Sequence, residues 1–134
     1  MTIEELNIVT KEFSNLYLKK DIKINSFSEL YDLDIDWPNT YPNNLSPGVY
    51  ALLDENKDLY YVGSTIVAIG IRFKEYFSYD SDKKCIKSIE FKNISFLTTL
   101  CIAGDNKFLA PALEYFMISK LQPAGNKNLK YYFL

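Results

Sequence analysis

The spacing of apolar positions changes period along the chain, and each change marks an element. Over residues 2–18, Ile3, Leu6, Val9, Phe13 and Leu16 recur at helical spacing behind a Thr2–Glu5 capping box, which predicts an amphipathic helix. Ser26-Phe27-Ser28-Glu29 repeats the capping pattern and predicts a short helical turn ending near Leu33. Asp32, Asp34 and Asp36 then alternate with apolar residues, the pattern of a strand with one solvated face. Three carboxylates also invite a metal site, but the segment has no histidine and no EF-hand glycine. Residues 37–44, Trp-Pro-Asn-Thr-Tyr-Pro-Asn-Asn, read as a loop pinned by its aromatics.

Between Gly48 and Gly63 two apolar runs flank a polar turn, with turn residues at both ends, so the unit is a β-hairpin. Each run carries a tyrosine that a plain core strand does not need. A four-residue loop from Asp54 to Lys57, built on a type I turn that suits Asp54, sets Leu53 opposite Asp58 and Tyr50 opposite Tyr61. Both hydroxyls then project from one sheet face, whereas a five-residue loop would send them to opposite faces.

Residues 66–77 read as a helix with Ile69, Phe73, Tyr76 and Phe77 placed for packing, and Gly70 weakens its first turn. Arg72 and Tyr76 are four apart and share a face. Residues 78–82 read as a loop, followed by Lys83, Lys84, Lys87 and Lys92, the densest basic run. Residues 94–103 have the β-branched and aromatic content of a buried strand. Gly104-Asp105-Asn106 turns the chain, and Pro111 at a first helical position starts a helix running to about Leu121. Leu113, Phe116, Met117, Lys120 and Leu121 define its stripe, with Glu114 at the edge, and Asn126 falls in the turn that follows.

With 134 residues and 48% hydrophobic content, the chain is expected to form one soluble domain with a sizeable core. No apolar run approaches membrane-spanning length, and Met-Thr-Ile-Glu-Glu-Leu lacks a signal-peptide start, so a cytoplasmic location is expected. Cys85 and Cys101 have no metal spacing and read as free thiols packed as small hydrophobes. Residues 1–47 hold eight acids against four lysines, and the remainder nine acids against eleven bases, so a hold on phosphate needs local clustering. Of fifteen basic residues only Arg72 is arginine, which singles out a position where a planar, bidentate, permanently charged donor has no lysine substitute.

Gly48-Val49-Tyr50, Tyr61-Val62-Gly63 eleven residues on, an arginine in the next helix, a late helical glutamate and Pro123-x-x-Asn126 together resemble the GIY-YIG nuclease superfamily over about residues 47–127. The resemblance implies an α/β (α+β) module, a small three-stranded antiparallel sheet flanked by helices, with residues 1–46 as a helical extension packed on a nuclease domain at 47–134. It implies hydrolysis of DNA phosphodiesters with one divalent ion, Mg²⁺ or Mn²⁺. By position, Tyr50 and Tyr61 match the motif tyrosines, Arg72 the catalytic arginine, Tyr76 a site of tyrosine or histidine, Glu114 the metal ligand and Asn126 the late asparagine. Position 64 is serine where some members have lysine, which makes Lys74 a candidate substitute. Lys83, Lys84 and Lys87 are candidates to hold the DNA backbone with it.

Those roles suit the chemistry, which needs a nucleophilic water and neutralisation of charge on phosphorus. Tyr50 is the proposed base, although an unperturbed phenol with a pKa near ~10 stays protonated at neutral pH. Asn126 would hold the phosphate or a neighbouring side chain. The chain has no histidine, and no zinc finger or helix-turn-helix is recognisable, so specificity would need a homodimer, the extension or a partner protein. Two alternatives stay open: a non-catalytic module that binds nucleic acid or protein, and an acidic extension that covers the active face as a lid.

Overall fold

The strand Gly48–Asp54 is buried at every position but its last, so both of its faces need a cover. A computed structural model describing residues 1–126 shows how they are covered. In chain order the elements are α1 (Ile3–Tyr17), β1 (Tyr31–Asp32), β2 (Gly48–Asp54), β3 (Leu59–Thr65), α2 (Ile69–Tyr76), β4 (Phe77–Tyr79), β5 (Cys85–Lys87), β6 (Ile94–Cys101) and α3 (Leu109–Leu121). Short 3₁₀ turns lie at Ile89–Phe91, Gly104–Asn106 and Ala124–Asn126. Residues 127–134 of the expected 47–134 module lie outside the described residues.

Alternate side chains of β2 enter different cores. Val49, Ala51 and Leu53 pack with Leu6, Val9 and Phe13 of α1 and Leu113 and Met117 of α3. Tyr50 and Leu52 pack with Ile69 and Phe73 of α2, and with Phe77, Phe91 and Leu97. The architecture is α+β, an antiparallel sheet flanked by helices with a helical N-terminus. Its order is β1-β6-β2-β3, so the three expected strands gain a short fourth one from the N-terminal extension. A separate ribbon pairs β4 with β5.

Several expectations change for local reasons. No helical turn forms over residues 26–33, because the backbone N–H of Ser28 donates to Thr99 O (2.8 Å) and Tyr31 and Asp32 pair with Leu97 and Phe96 of β6. The alternating aspartates make a turn rather than a strand face: Asp32 Oδ1 accepts from the N–H groups of Asp34 and Ile35, and Asp36 Oδ2 from that of Asp32. Leu16, expected in the apolar stripe of α1, is 60% exposed. The helix expected from residue 66 begins at Ile69, because β3 continues to Thr65 and Thr65 Oγ1 then accepts from Val67 N–H. Gly70 belongs to that first turn for steric reasons. Its N–H donates to Asn44 O (2.8 Å), and an added Cβ would lie 1.9 Å from Asn44 Oδ1. Pro111 sits third in α3 rather than first, still within the turn whose N–H groups lack helical partners.

The hairpin register also differs. Tyr50 pairs with Gly63 and Leu52 with Tyr61, and a bulge then admits Tyr60 before Leu53 pairs with Leu59. The bulge follows from the turn, where Asp54 Oδ1 accepts from the N–H groups of Asn56 and Asp58 and Lys57 takes a left-handed φ of 63°. The same geometry closes the β4–β5 ribbon, with Asp80 accepting from Asp82 and Lys84 and Lys83 also at φ 63°. The offset from the expected register is two residues, so parity survives. Tyr50 and Tyr61 share a face as diagonal neighbours rather than as a direct pair.

As the edge strand, β3 has free backbone groups, and one pair of them is capped. Asn126 Nδ2 donates to Val62 O and Asn126 Oδ1 accepts from Val62 N–H, both at 2.9 Å, with Asn126 itself buried. The extension meets the opposite edge through β1 and contributes Leu6, Phe13, Phe27 and Leu33 to the two cores. It also reaches the β2–β3 hairpin, where Val62 shares a core with Leu6, Val9 and Phe13 and the Met1 ammonium donates to Lys57 O. No helix among the described residues is long and apolar enough to cross a membrane.

Two outcomes follow for stability. Asn126→Ala leaves a buried donor and acceptor unpaired and should cost about 2–4 kcal/mol, read as a shift of the urea midpoint; an unchanged midpoint would mean that the amide does not hold β3. Removing residues 1–44 should abolish the cooperative unfolding transition by calorimetry, whereas a detachable lid would leave it intact.

Candidate active site around Gly63

Edge strand β3 presents chemistry on both faces within a few residues. On the α2 face, the phenol end of Tyr50 lies directly over Gly63, where an added Cβ would come within 2.4 Å of both Tyr50 Cζ and Oη. Only glycine leaves room there. Tyr61, two residues before Gly63, stacks beside Tyr50 with ring centroids 6.4 Å apart. From α2, Tyr76 brings its hydroxyl 2.8 Å from the Tyr50 hydroxyl. Phe91 packs edge-on against both Tyr61 (5.0 Å) and Tyr76 (4.5 Å) and holds the set together. Sequence reasoning passed over Phe91, whose only signal is one aromatic in a lysine-rich stretch.

On the other face stand Ser64 and Glu114. Ser64 pairs with Val49, and its Oγ donates a hydrogen bond to Oε1 of Glu114, which α3 brings to the strand at a half-buried position. The candidate residues therefore gather around one strand edge, with Glu114 reaching it from the face opposite the phenols.

Arg72 projects from the exposed side of α2, and its Nη1 lies 3.5 Å from Glu75 Oε2 in an (i, i+3) ion pair. Its charge is felt across the site, easing ionisation of Tyr50, Tyr61, Tyr76 and Glu114. Desolvation is the larger effect on each of the four. Tyr50 is 2% exposed, and burial, reinforced by Tyr76, holds its proton far more tightly than a free phenol does. Tyr61 is pushed up to about 12 by burial, with Tyr76 and Glu114 adding to the rise. Tyr76 is also raised by burial, but its hydrogen bond with Tyr50 and the Arg72 charge work the other way. Both phenols of the pair are thus raised, chiefly by burial, and the Arg72 charge favours ionisation of each. Glu114 is raised above the ordinary carboxyl value by burial, partly offset by Ser64 and Arg72.

Not every candidate joins the cluster. Asn126 spends both amide atoms on Val62, so it holds a neighbouring backbone instead of a phosphate. Lys74 is two residues from Arg72, about 200° around the helix, and lines a different cleft of about 410 Å³ with Trp37, Tyr41, Phe77 and Tyr79. It therefore does not stand in beside Arg72. Lys83 and Lys84 lie at the exposed tip of the β4–β5 ribbon, and Lys87 Nζ reaches Asp34 Oδ2 at 3.9 Å.

The model of the GIY-YIG catalytic domain matches residues 46–129. A comparison of the chain with curated proteins finds no match. The family match spans well over half of the chain and takes in β2, β3, α2, β6 and α3, the elements that carry the gathered residues. The chain therefore belongs to the GIY-YIG family and carries its nuclease-type catalytic domain.

Proposed function

We propose that the protein is a metal-dependent endonuclease that hydrolyses DNA phosphodiester bonds at the edge of β3. The observation that carries this reading is the set of three hydrogen-bonded or stacked tyrosines at Gly63, with a half-buried glutamate held by Ser64 on the strand's other face and the charge of the single arginine acting on all four. A water-attacked phosphodiester needs charge neutralisation on the phosphorane and a route for the proton of the nucleophile. Arg72 can fork onto the non-bridging oxygens once a phosphate displaces it from Glu75, an exposed and weak pairing. Tyr50, fixed by Gly63 and Phe73, orients Tyr76 through their shared hydrogen bond. Tyr76 and Tyr61, less buried than Tyr50, face the reacting group and can hold the attacking water.

Glu114 suits a divalent cation. It is half-buried, has one oxygen committed to Ser64 and makes no salt bridge to a lysine or arginine among the described residues, so its negative charge lacks a close protein counterpart. No group of three or more ligating side chains occurs among the described residues. Such a donor fits Mg²⁺ or Mn²⁺ taking its remaining ligands from water and phosphate oxygens. When bound, such an ion supplies Lewis-acid stabilisation of the phosphorane and a more acidic water. Lys83 and Lys84 at the ribbon tip remain candidates for backbone contacts beyond the cleaved bond.

The test is nicking or linearisation of supercoiled plasmid with Mg²⁺ or Mn²⁺. Glu114→Gln should reduce the rate by ~10³-fold through loss of the cation's charge partner, and Arg72→Lys by ~10²-fold through loss of the bidentate fork. Equal inactivity of wild type and Glu114→Gln across metals would favour a non-catalytic module instead. The pH profile carries a separate signature. Because burial raises the carboxyl of Glu114, in the metal-free protein its charge should be lost as pH falls through a value above that of free glutamate, read by side-chain carbon NMR, and added Mg²⁺ should move that titration downward. With Tyr61 pushed up to about 12 and no histidine in the chain, the rate should not fall between pH 7 and 9. A bell centred near neutrality would contradict this assignment.

A further inference from the structure

Ser64 has no place in the tyrosine, arginine and glutamate set, yet its hydroxyl makes the hydrogen bond to Glu114. Its position is fixed twice. Pairing of Val49 with Ser64 and of Tyr50 with Gly63 turns Ser64 to the α3 face, away from the phenols. Buried Val62, two residues earlier on the same face, packs in the core with Leu113 and Met117 of α3, so helix and strand cannot slide past each other. Asn126 clamps the Val62 backbone from the strand's open side. A hydroxyl between two such anchors meets Glu114 with one rotamer and no net charge.

The absence of charge is what matters. A lysine at this position would orient the carboxylate and neutralise it, in competition with any cation. Serine orients it without adding a positive charge, and Ser64 engages Oε1 alone, which leaves Oε2 for a second partner. A lone carboxylate on a flexible side chain loses rotamer freedom when it takes a metal, and a partner that has already fixed the rotamer removes part of that cost.

Resting on the metal-dependent reading above, we propose that Ser64 is the positioning residue of the cation site, fixing Glu114 so that a single carboxylate oxygen is presented to a divalent ion. Ser64 touches neither the reacting phosphate nor the ion in this role. Outer partners of this kind change metal affinity by about 10–100-fold when removed. The effect should therefore fall on metal binding and not on folding or on the arginine and tyrosine side of the site.

The experiment titrates the full-length protein with Mn²⁺ alone and follows bound ion by water-proton relaxation enhancement, with thermal melting as a control. Ser64→Ala should weaken Mn²⁺ binding by about 10-fold or more with an unchanged melting temperature, and Ser64→Thr, which keeps the hydroxyl, should restore it. In plasmid nicking, Ser64→Ala should raise the Mn²⁺ concentration for half-maximal rate by the same factor and leave the saturated rate within about twofold. Equal Mn²⁺ binding by wild type and Ser64→Ala, or failure of Ser64→Thr to recover it while still folded, would overturn the role of Ser64. Binding by wild type that is lost in Glu114→Gln but untouched in Ser64→Ala would overturn it while sparing the metal reading. No enhancement with wild type would instead remove the metal reading on which it rests.

Discussion

The close approach of Tyr50 to Gly63 is the contact on which the rest of the site depends. A phenol ring occupies the space that a side chain at position 63 would fill, and a Cβ there would sit 2.4 Å from two of its atoms. That contact exists only because the hairpin pairs Tyr50 with Gly63 rather than with Tyr61. The same register turns Tyr61 to lie beside Tyr50, turns Ser64 to the α3 face and leaves Val62 where Asn126 can cap it. A slip of one residue would exchange the two faces of β3 and take Tyr61 away from Tyr50 and Phe91. The bulge at Tyr60 and the Asp54 turn are what fix the register against such a slip.

Around that contact the site divides its labour between the two faces of an edge strand. Phenols and aromatic packing lie on the side of α2, and a carboxylate with its serine lies on the side of α3. The charge of Arg72 acts on both sets. Burial raises the three phenols and the Glu114 carboxyl above their ordinary values. The protein leaves Arg72 on a weak surface pairing with Glu75 and Glu114 on a neutral hydroxyl, so neither partner has to be displaced at great cost.

The extension plays a different part from the one its acidity suggested. Its acids form turns, as at Asp32 and Asp36, and pair with the rest of the chain at Lys87 from Asp34 and at Lys120 from Glu12. Its apolar residues enter both cores, and the carbonyls of Asn44 and Ser46 accept the first N–H groups of α2. The helix that carries Arg72 and Tyr76 is thus started by residues that precede the catalytic motif.

Sequence alone determined the features set by local chemistry or by an ordered motif. Thr2 caps α1 as its position indicates, its hydroxyl accepting from Glu5 N–H. The hairpin, α2, β6 and α3 stand where period and propensity placed them, within a few residues at their ends, and the tyrosine parity followed from alternation. Tertiary structure decided what depends on partners distant in sequence. Residues 26–33 had a good local signal for helix and lost it to β6, whose backbone offered Ser28, Tyr31 and Asp32 their hydrogen bonds. Asn126 reads locally as a turn residue and becomes a clamp only because Val62, sixty-four positions away, has an open edge to cap. Lys74 and Arg72 are neighbours in the chain but not around the helix axis, whereas Ser64 and Glu114, fifty positions apart, share a hydrogen bond. A pattern along the chain records which residue types are present and at what spacing; which of them meet across the edge of a sheet is set by the register, and the register is set by side chains from several elements packing at once.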